Sequence, residues 1–258
     1  MTGSVLDRPE VLRVLFYPRR EEEPSCVPPS ARSVAFEVEP GVIIGGRLYP
    51  AGVRAPVILF FHGNGEIAAD YDDLAPMYTR LGITLLVADY RGYGTSSGTP
   101  TASHLLTDAV SIFSQVSRVL EGRGLVPPRL YVMGRSLGSA AAVEVAFRAG
   151  ERLAGLIVES GFADTFGLLA RLGVRVVGAD EERDGFGNAI KMSHIRTPTL
   201  VIHGQRDVLI PVSDGQKLHR WCAATDKMLV LIPGAGHNDL MLVGVAAYFE
   251  AIRAFVRQ

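Results

Sequence analysis

Gly134-Arg135-Ser136-Leu137-Gly138 follows the short apolar run Leu130-Tyr131-Val132-Met133 and leads directly into Ser139-Ala140-Ala141-Ala142-Val143-Glu144-Val145-Ala146, which is rich in helix-forming alanine. The three pieces read as strand, turn and helix, with a serine at the sharpest point. A residue placed there is forced into a strained backbone conformation, and the positions two before and two after it must lack side chains. Glycine stands at both. The same geometry lifts the hydroxyl out of the turn and aims the N-terminus of the new helix, with its unpaired amides, at whatever the serine attacks. In a chain with 28 glycines among 258 residues the five-residue pattern alone is weakly specific. Its weight comes from what stands at the ends of the other strands.

Outward from the elbow, fully apolar runs alternate with helix-like stretches. The runs Val57–Phe61, Ile83–Ala88, Leu130–Met133, Leu156–Val158, Thr199–Ile202 and Met228–Ile232 predict strands. Stretches near Tyr71–Arg80, Ser103–Leu120, Leu137–Ala149, Val212–Trp221 and Leu240–Val256 predict helices. Strands without polar alternation are buried on both faces, which implies a parallel sheet covered by helices on each side. Ahead of them Ser33–Glu39 and Val42–Tyr49, separated by Pro40-Gly41, read as a hairpin. The expected architecture is an α/β fold with a mostly parallel, twisted sheet of about eight strands in one domain over 33–258. Residues 1–32 read as a lead-in, and Arg19 to Ser30, charged and proline-rich, as an exposed segment. The connection 161–196 is longer than usual and reads as a small cap.

Composition narrows the function. A net charge of −1 leaves no basic excess to neutralise phosphates, so no nucleic-acid partner is expected. No apolar run approaches the ~20 residues of a membrane span, and Met1 to Arg20 has no uninterrupted apolar region of the secretory kind. A cytoplasmic protein is expected, with Cys26 and Cys222 as buried or free thiols. Neither metal-ligand spacing nor a phosphate-cradling Gly-rich loop is present, so no metal or cofactor is expected.

In an open parallel sheet the ligand cleft lies at the carboxyl ends of the strands. Residues just past each predicted strand include His62-Gly63-Asn64-Gly65-Glu66, Asp89 to Gly94, the elbow, Glu159-Ser160-Gly161, His203 to Asp207 and Pro233 to Asp239. They supply a nucleophile, an acid and a base in the order Ser136, Asp207, His237. A serine hydroxyl attacks well only when a base takes its proton, and neutral imidazole suits that task near pH 7. A buried carboxylate then holds the imidazole in one tautomer and stabilises its charge. Glu159 also follows a strand and is the rival to Asp207. An oxyanion hole needs main-chain donors, which the amides of Leu137 and Asn64 are placed to supply. Gly63, Gly65, Phe162 and Phe166 are candidate substrate contacts, although helical spacing of the apolar cap residues suits packing against the core equally well. His62 and His203 read as braces for cleft-side loops and Asp180–Asp184 as a solvated turn, while Arg135 has no assigned role, an ion pair to a nearby carboxylate being the usual fate of such a group.

The segments Phe60-Phe61-His62-Gly63-Asn64-Gly65, Asp89-Tyr90-Arg91-Gly92-Tyr93-Gly94-Thr95-Ser96-Ser97-Gly98, Gly134 to Gly138, His203 to Asp207 and Gly234 to Asp239 together resemble the Bem46-like α/β-hydrolases. That group includes the eukaryotic depalmitoylases called α/β-hydrolase-domain-containing protein 17. The resemblance implies an α/β-hydrolase fold, Ser136 as nucleophile, Asp207 as acid, His237 as base, and Asn64 with Leu137 at the oxyanion. Gly65 stands where the family often has alanine. The depalmitoylating members carry an N-terminal cysteine cluster for membrane attachment, and this sequence shows none, so protein depalmitoylation is not carried over. The expected activity is cleavage of a small-molecule carboxylic ester or thioester through an acyl-enzyme. A cofactor-free haloperoxidase or perhydrolase, a peptidase using the same triad, and a non-catalytic binding protein of the same fold stay open as alternatives, as does the oligomeric state.

Overall fold

The computed structural model describes residues 4–21 and 27–257. Cys26 and Glu22-Glu23-Pro24 of the expected exposed segment lie outside them. Eight strands form one open sheet: β1 (Arg32–Glu39), β2 (Val42–Tyr49), β3 (Val57–Phe61), β4 (Thr84–Ala88), β5 (Leu130–Arg135), β6 (Gly155–Glu159), β7 (Thr199–Gly204) and β8 (Lys227–Ile232). Their spatial order is β1-β2-β4-β3-β5-β6-β7-β8. All pairings from β4 to β8 are parallel, whereas β1 and β2 form the antiparallel hairpin that extends the sheet beyond β4. Side chains alternate across a strand, and in β3 that alternation sends Val57, Leu59 and Phe61 to one core and Ile58 and Phe60 to the other. Two-sided burial of this kind is why the central strands read as uninterrupted apolar runs.

Helices α3 (Ala102–Glu121) and α4 (Gly138–Ala149) cover one face, and α2 (Ala75–Thr79) with α10 (Val245–Arg257) the other. The helix expected over 240–256 divides at Gly244 into α9 (Leu240–Val243) and α10. The residues expected to be a lead-in contribute to the core. A turn at Val5–Asp7 and α1 (Pro9–Leu15) bury Leu6, Val11, Leu15 and Phe16 in the same cluster as α3 and α4. Pro9 at the first helical position and the Val11/Leu15 pair one turn apart are the local reasons that the short helix forms there.

Between β6 and β7 lie α5 (Thr165–Arg171), α6 (Glu181–Asp184) and α7 (Asn188–Met192). The acidic turn expected to be solvated directs one carboxylate inward. Glu181 accepts the Thr165 amide at 2.8 Å, the Thr165 hydroxyl at 2.7 Å and the Gly187 amide at 3.2 Å, which fastens α6 to the start of α5. Beyond α8 (Val212–Trp221), β8 closes the far edge. Among the described residues no helix is long and apolar enough to cross a membrane.

Candidate active site

Ser136 sits between β5 and α4 with φ 52°, a left-handed value that few residues with a side chain adopt. The close approach of the neighbouring strand explains the flanking glycines. A Cβ on Gly138 would collide with the carbonyl oxygen of Phe61 at the end of β3, and one on Gly134 with the carbonyl of Gly138. Two further bonds hold the strained turn. The Ser136 amide donates to the Glu159 carbonyl at 2.9 Å, and the Ser139 hydroxyl donates to the Ser136 carbonyl at 2.6 Å.

The structure brings all three expected triad side chains together. His237 Nδ1 lies 2.7 Å from Asp207 Oδ2, and His237 Nε2 lies 2.9 Å from Ser136 Oγ. A carboxylate accepts and does not donate, so Nδ1 carries the proton and Nε2 presents its lone pair to the serine. Asp207 is held from several directions. Its Oδ1 accepts the amides of Leu209 at 3.0 Å and Ile210 at 2.8 Å, and His203 Nε2 stands 3.4 Å from Oδ2. Burial pushes the Asp207 carboxyl up, but hydrogen bonds from His203, His237 and the Ile210 amide, with attraction to His237, outweigh it and hold the group well below the usual carboxylate range.

The rival acid faces elsewhere. Glu159, fully buried at the end of β6, accepts the Tyr248 hydroxyl at 2.7 Å and Arg135 Nε at 3.2 Å. Burial raises its pKa despite the pull of Arg135 and Tyr248. Among the described residues it makes no bond to the His237 ring.

The amides of Asn64 and Leu137 have no internal acceptor among the described residues. The Asn64 side chain is bound by the N-terminal segment and by Tyr93. Its Oδ1 lies 2.7 Å from the Tyr17 amide and 2.8 Å from the Tyr93 hydroxyl, both of which donate to it. The segment Tyr17–Arg20, which the sequence reading left without a role, thus lies against the loop that carries Asn64, with Arg19 Nε donating to the Gly65 carbonyl at 3.2 Å. No sequence pattern announces such a strap.

Of the candidate substrate contacts, Phe162 is fully buried with its ring against Phe186 at 5.8 Å, and Phe166 packs on the same core. The cap's apolar spacing is therefore that of packing. Gly63 backs onto Arg135 and Glu66, and Gly65 lies beside Tyr17. His62 is a buried brace, with Nε2 3.2 Å from Asp89 Oδ1 and the ring against Tyr90 and Tyr93. His203 braces the acid loop through the Ile210 carbonyl at 2.8 Å. No group of three or more His, Cys, Asp or Glu side chains among the described residues is arranged to hold a metal ion.

An open, mostly parallel sheet with a strained serine after its fifth strand and an acid and a histidine after the last two defines the α/β-hydrolase class. The chain belongs to the α/β-hydrolase superfamily, which makes it a hydrolase by family, and it groups with the proteins named α/β-hydrolase-domain-containing 17. A family model described as serine aminopeptidase, S33 matches residues 53–178, a span that includes Asn64 and Ser136 and stops before Asp207 and His237. An uncharacterized protein of Mycobacterium tuberculosis is 31% identical over 255 residues, 95% of this chain and 87% of that one. Human alpha/beta hydrolase domain-containing protein 17B is 32% identical over 209 residues, 78% of this chain and 66% of the human one. Among solved structures, the Pyrococcus furiosus esterase Pf2001 matches with a TM-score of 0.75 at 17% identity over 94% of this chain and 97% of that one. A soluble variant of the Saccharomyces cerevisiae monoglyceride lipase matches at 0.69 and 16% identity, over 90% and 95% of the two chains. At those identities the structural likeness is one of fold.

Proposed function

We propose that this protein is a serine hydrolase that cleaves carboxylic esters or thioesters through an acyl-enzyme. The observation that carries the reading is the unbroken relay from Asp207 through His237 to Ser136, at 2.7 and 2.9 Å. Ser136 Oγ attacks the carbonyl carbon while its proton passes to His237 Nε2, and Asp207 stabilises the imidazolium through Nδ1–H. The Leu137 and Asn64 amides receive the oxyanion, a contribution of several kcal/mol where such donors have been removed in other enzymes. As the tetrahedral intermediate collapses, His237 returns the proton to the departing alcohol or thiol. Water, deprotonated by the same imidazole, then cleaves the acyl-serine and restores the hydroxyl. The exposed apolar residues Tyr17, whose amide meets Asn64, and Val208, next to Asp207, suit an apolar substrate group.

An ester is favoured over an aminopeptide by the local charges. An aminopeptidase needs an uncommitted carboxylate beside the serine to hold the substrate's ammonium. Glu66 and Glu159, which flank the elbow, are both bound by Arg135. The test is a series of p-nitrophenyl esters from acetyl to octanoyl with matching thioesters and aminoacyl p-nitroanilides, together with a fluorophosphonate probe. Ester turnover and probe labelling that both vanish in Ser136→Ala are expected. Turnover of the anilides alone, or equal labelling of Ser136→Ala, overturns the reading.

A further inference from the structure

Arg135 is the last residue of β5 and the immediate neighbour of the nucleophile, yet its guanidinium is bonded to groups other than the serine, with its side chain 10% exposed. Its three nitrogens serve three different segments. Nε donates to Glu159 at the end of β6. Nη1 is bonded to Glu66, whose other oxygen accepts the Gly63 amide at 2.8 Å and the Tyr71 hydroxyl at 2.7 Å. Nη2 donates to the main-chain carbonyl of His237 at 3.1 Å and to Asn238 Oδ1 at 2.9 Å. Neutralising Glu159 would need only the first of these contacts. The other two nitrogens reach, through Glu66, the oxyanion loop and, directly, the loop that carries the histidine.

Two further observations point the same way. The oxyanion loop is built around the guanidinium, since a Cβ on Gly63 would stand 2.6 Å from Arg135 Nη1 and 2.9 Å from Glu66 Oε1. The histidine loop is glycine-rich (Gly234, Gly236) and follows an edge strand. A loop of that composition has many accessible conformations, and a bond to the His237 carbonyl restricts the residue whose ring must meet Ser136. A planar fork with donors on three sides performs this task where a lysine, a single point charge on a flexible stem, does not.

We propose that Arg135 is a positioning residue for the hydrolytic site, a buried guanidinium that fixes the oxyanion loop and the His237 loop relative to the nucleophile elbow. The proposal rests on the serine-hydrolase reading for its kinetic consequences, but its geometric content stands apart from it. When the guanidinium is removed, Ser136 and Asp207 keep their own anchors and the imidazole loses its register. Misplacement of a catalytic group by about 1 Å costs on the order of 10²-fold in rate, and the loss falls on kcat rather than KM.

The cavity beside Arg135 provides the experiment. It measures about 290 Å³ and is lined by Glu66, Arg135, Glu159 and Asn238 among others. A small cation from solvent can enter the space left by Arg135→Ala. For that variant, kcat on a p-nitrophenyl ester is expected to fall on the order of 10²-fold with KM changed by about twofold or less, and millimolar guanidinium or ethylguanidinium is expected to restore about tenfold or more. Arg135→Lys keeps a cation between the two glutamates and guards against a variant that fails to fold. It is expected to melt near the wild type yet lose about tenfold in kcat. The low-field proton NMR signal of the His237 Nδ1–H bonded to Asp207 is the readout independent of turnover, and is expected to broaden away in Arg135→Ala and return with guanidinium. If the wild type turns over no ester, the functional reading fails, and that signal alone decides the positioning role. A folded Arg135→Ala with kcat within about threefold of wild type, a fully active Arg135→Lys, or a low-field signal unchanged by the substitution overturns the proposal.

Discussion

Asp207 and Glu159 end neighbouring strands, and their surroundings give them opposite characters. Asp207 is ringed by donors that favour its charge, whereas Glu159 is so deeply buried that loss of solvation outweighs the pull of Arg135 and Tyr248. The relay assigns the imidazole to Asp207. Asp207→Asn is therefore expected to lower kcat by roughly 10⁴-fold by reversing the tautomer, with the fold retained. Glu159→Gln is expected to cost much less on the same ester, and a comparison of the two kcat values by steady-state kinetics checks the assignment. A loss on Glu159→Gln equal to that on Asp207→Asn would make the glutamate the acid instead. The elbow offers a second test. Gly138→Ala drives a methyl into the Phe61 carbonyl and is expected to cost about 1–3 kcal/mol or more, measured by urea unfolding. The candidate triad was legible because each type stands immediately past an apolar run in one order along the chain. The choice between two acids rested on that order alone, because which carboxylate meets the ring depends on side-chain direction at a strand end. Arg135 carried no assigned role in the sequence, since its reach to three segments exists only after β5, β6 and the last loop have come together.

At the scale of elements, the strap ahead of β1 is where sequence reading and structure differ most. The buried strands were readable as unbroken apolar runs and the long α3 by its amphipathic period. The seven residues of α1 make about two turns and bury Val11 and Leu15, too little periodicity to stand out from a polar N-terminal region. The inward turn of Glu181 was equally hidden, because its partner Thr165 lies sixteen residues away. The strap meets the Asn64 loop through the Arg19 side chain on the Gly65 carbonyl and through one main-chain amide, that of Tyr17 on Asn64, and the amide contact is separable from the Tyr17 ring. Tyr17 precedes Pro18, which favours an extended backbone that proline at 17 can share. Tyr17→Pro removes the donor and the ring, and Tyr17→Ala removes the ring alone. The proline variant is expected to be less stable than the alanine variant by about 1 kcal/mol, because the Tyr17 amide donates to both Asn64 Oδ1 and the Tyr93 hydroxyl and Asn64 then keeps only the latter, and to turn ester over several-fold more slowly. Thermal melting with parallel kinetics reads both effects. Equal rates in the two variants would remove the strap from the oxyanion loop's support.

Across the whole molecule, the sheet gathers carboxylates with opposing demands at one rim, and global stability must carry both. Folding makes Asp207 a stronger acid than it is in the unfolded chain. Its contribution is complete above the ordinary aspartate range, about pH 4, and drains away as pH falls toward the folded value. Folding makes Glu159 a weaker acid, so its contribution is complete below the ordinary glutamate range and drains away as pH rises through the folded value. Subtracting variant stabilities isolates each group. The wild type minus Asp207→Asn difference is expected to be level from about pH 7 to 5 and to shrink below about pH 4. The wild type minus Glu159→Gln difference is expected to be largest in acid and to shrink on the way to neutrality, each change being on the order of 1–3 kcal/mol. Urea titrations at fixed ionic strength from about pH 3 to 8 measure both curves. Slopes of the same sign would mean that both carboxylates respond to one environment. Opposite slopes follow from the arrangement at the rim, in which one strand end is lined with donors for an ionised carboxylate and the next seals its carboxylate behind a guanidinium and two tyrosines.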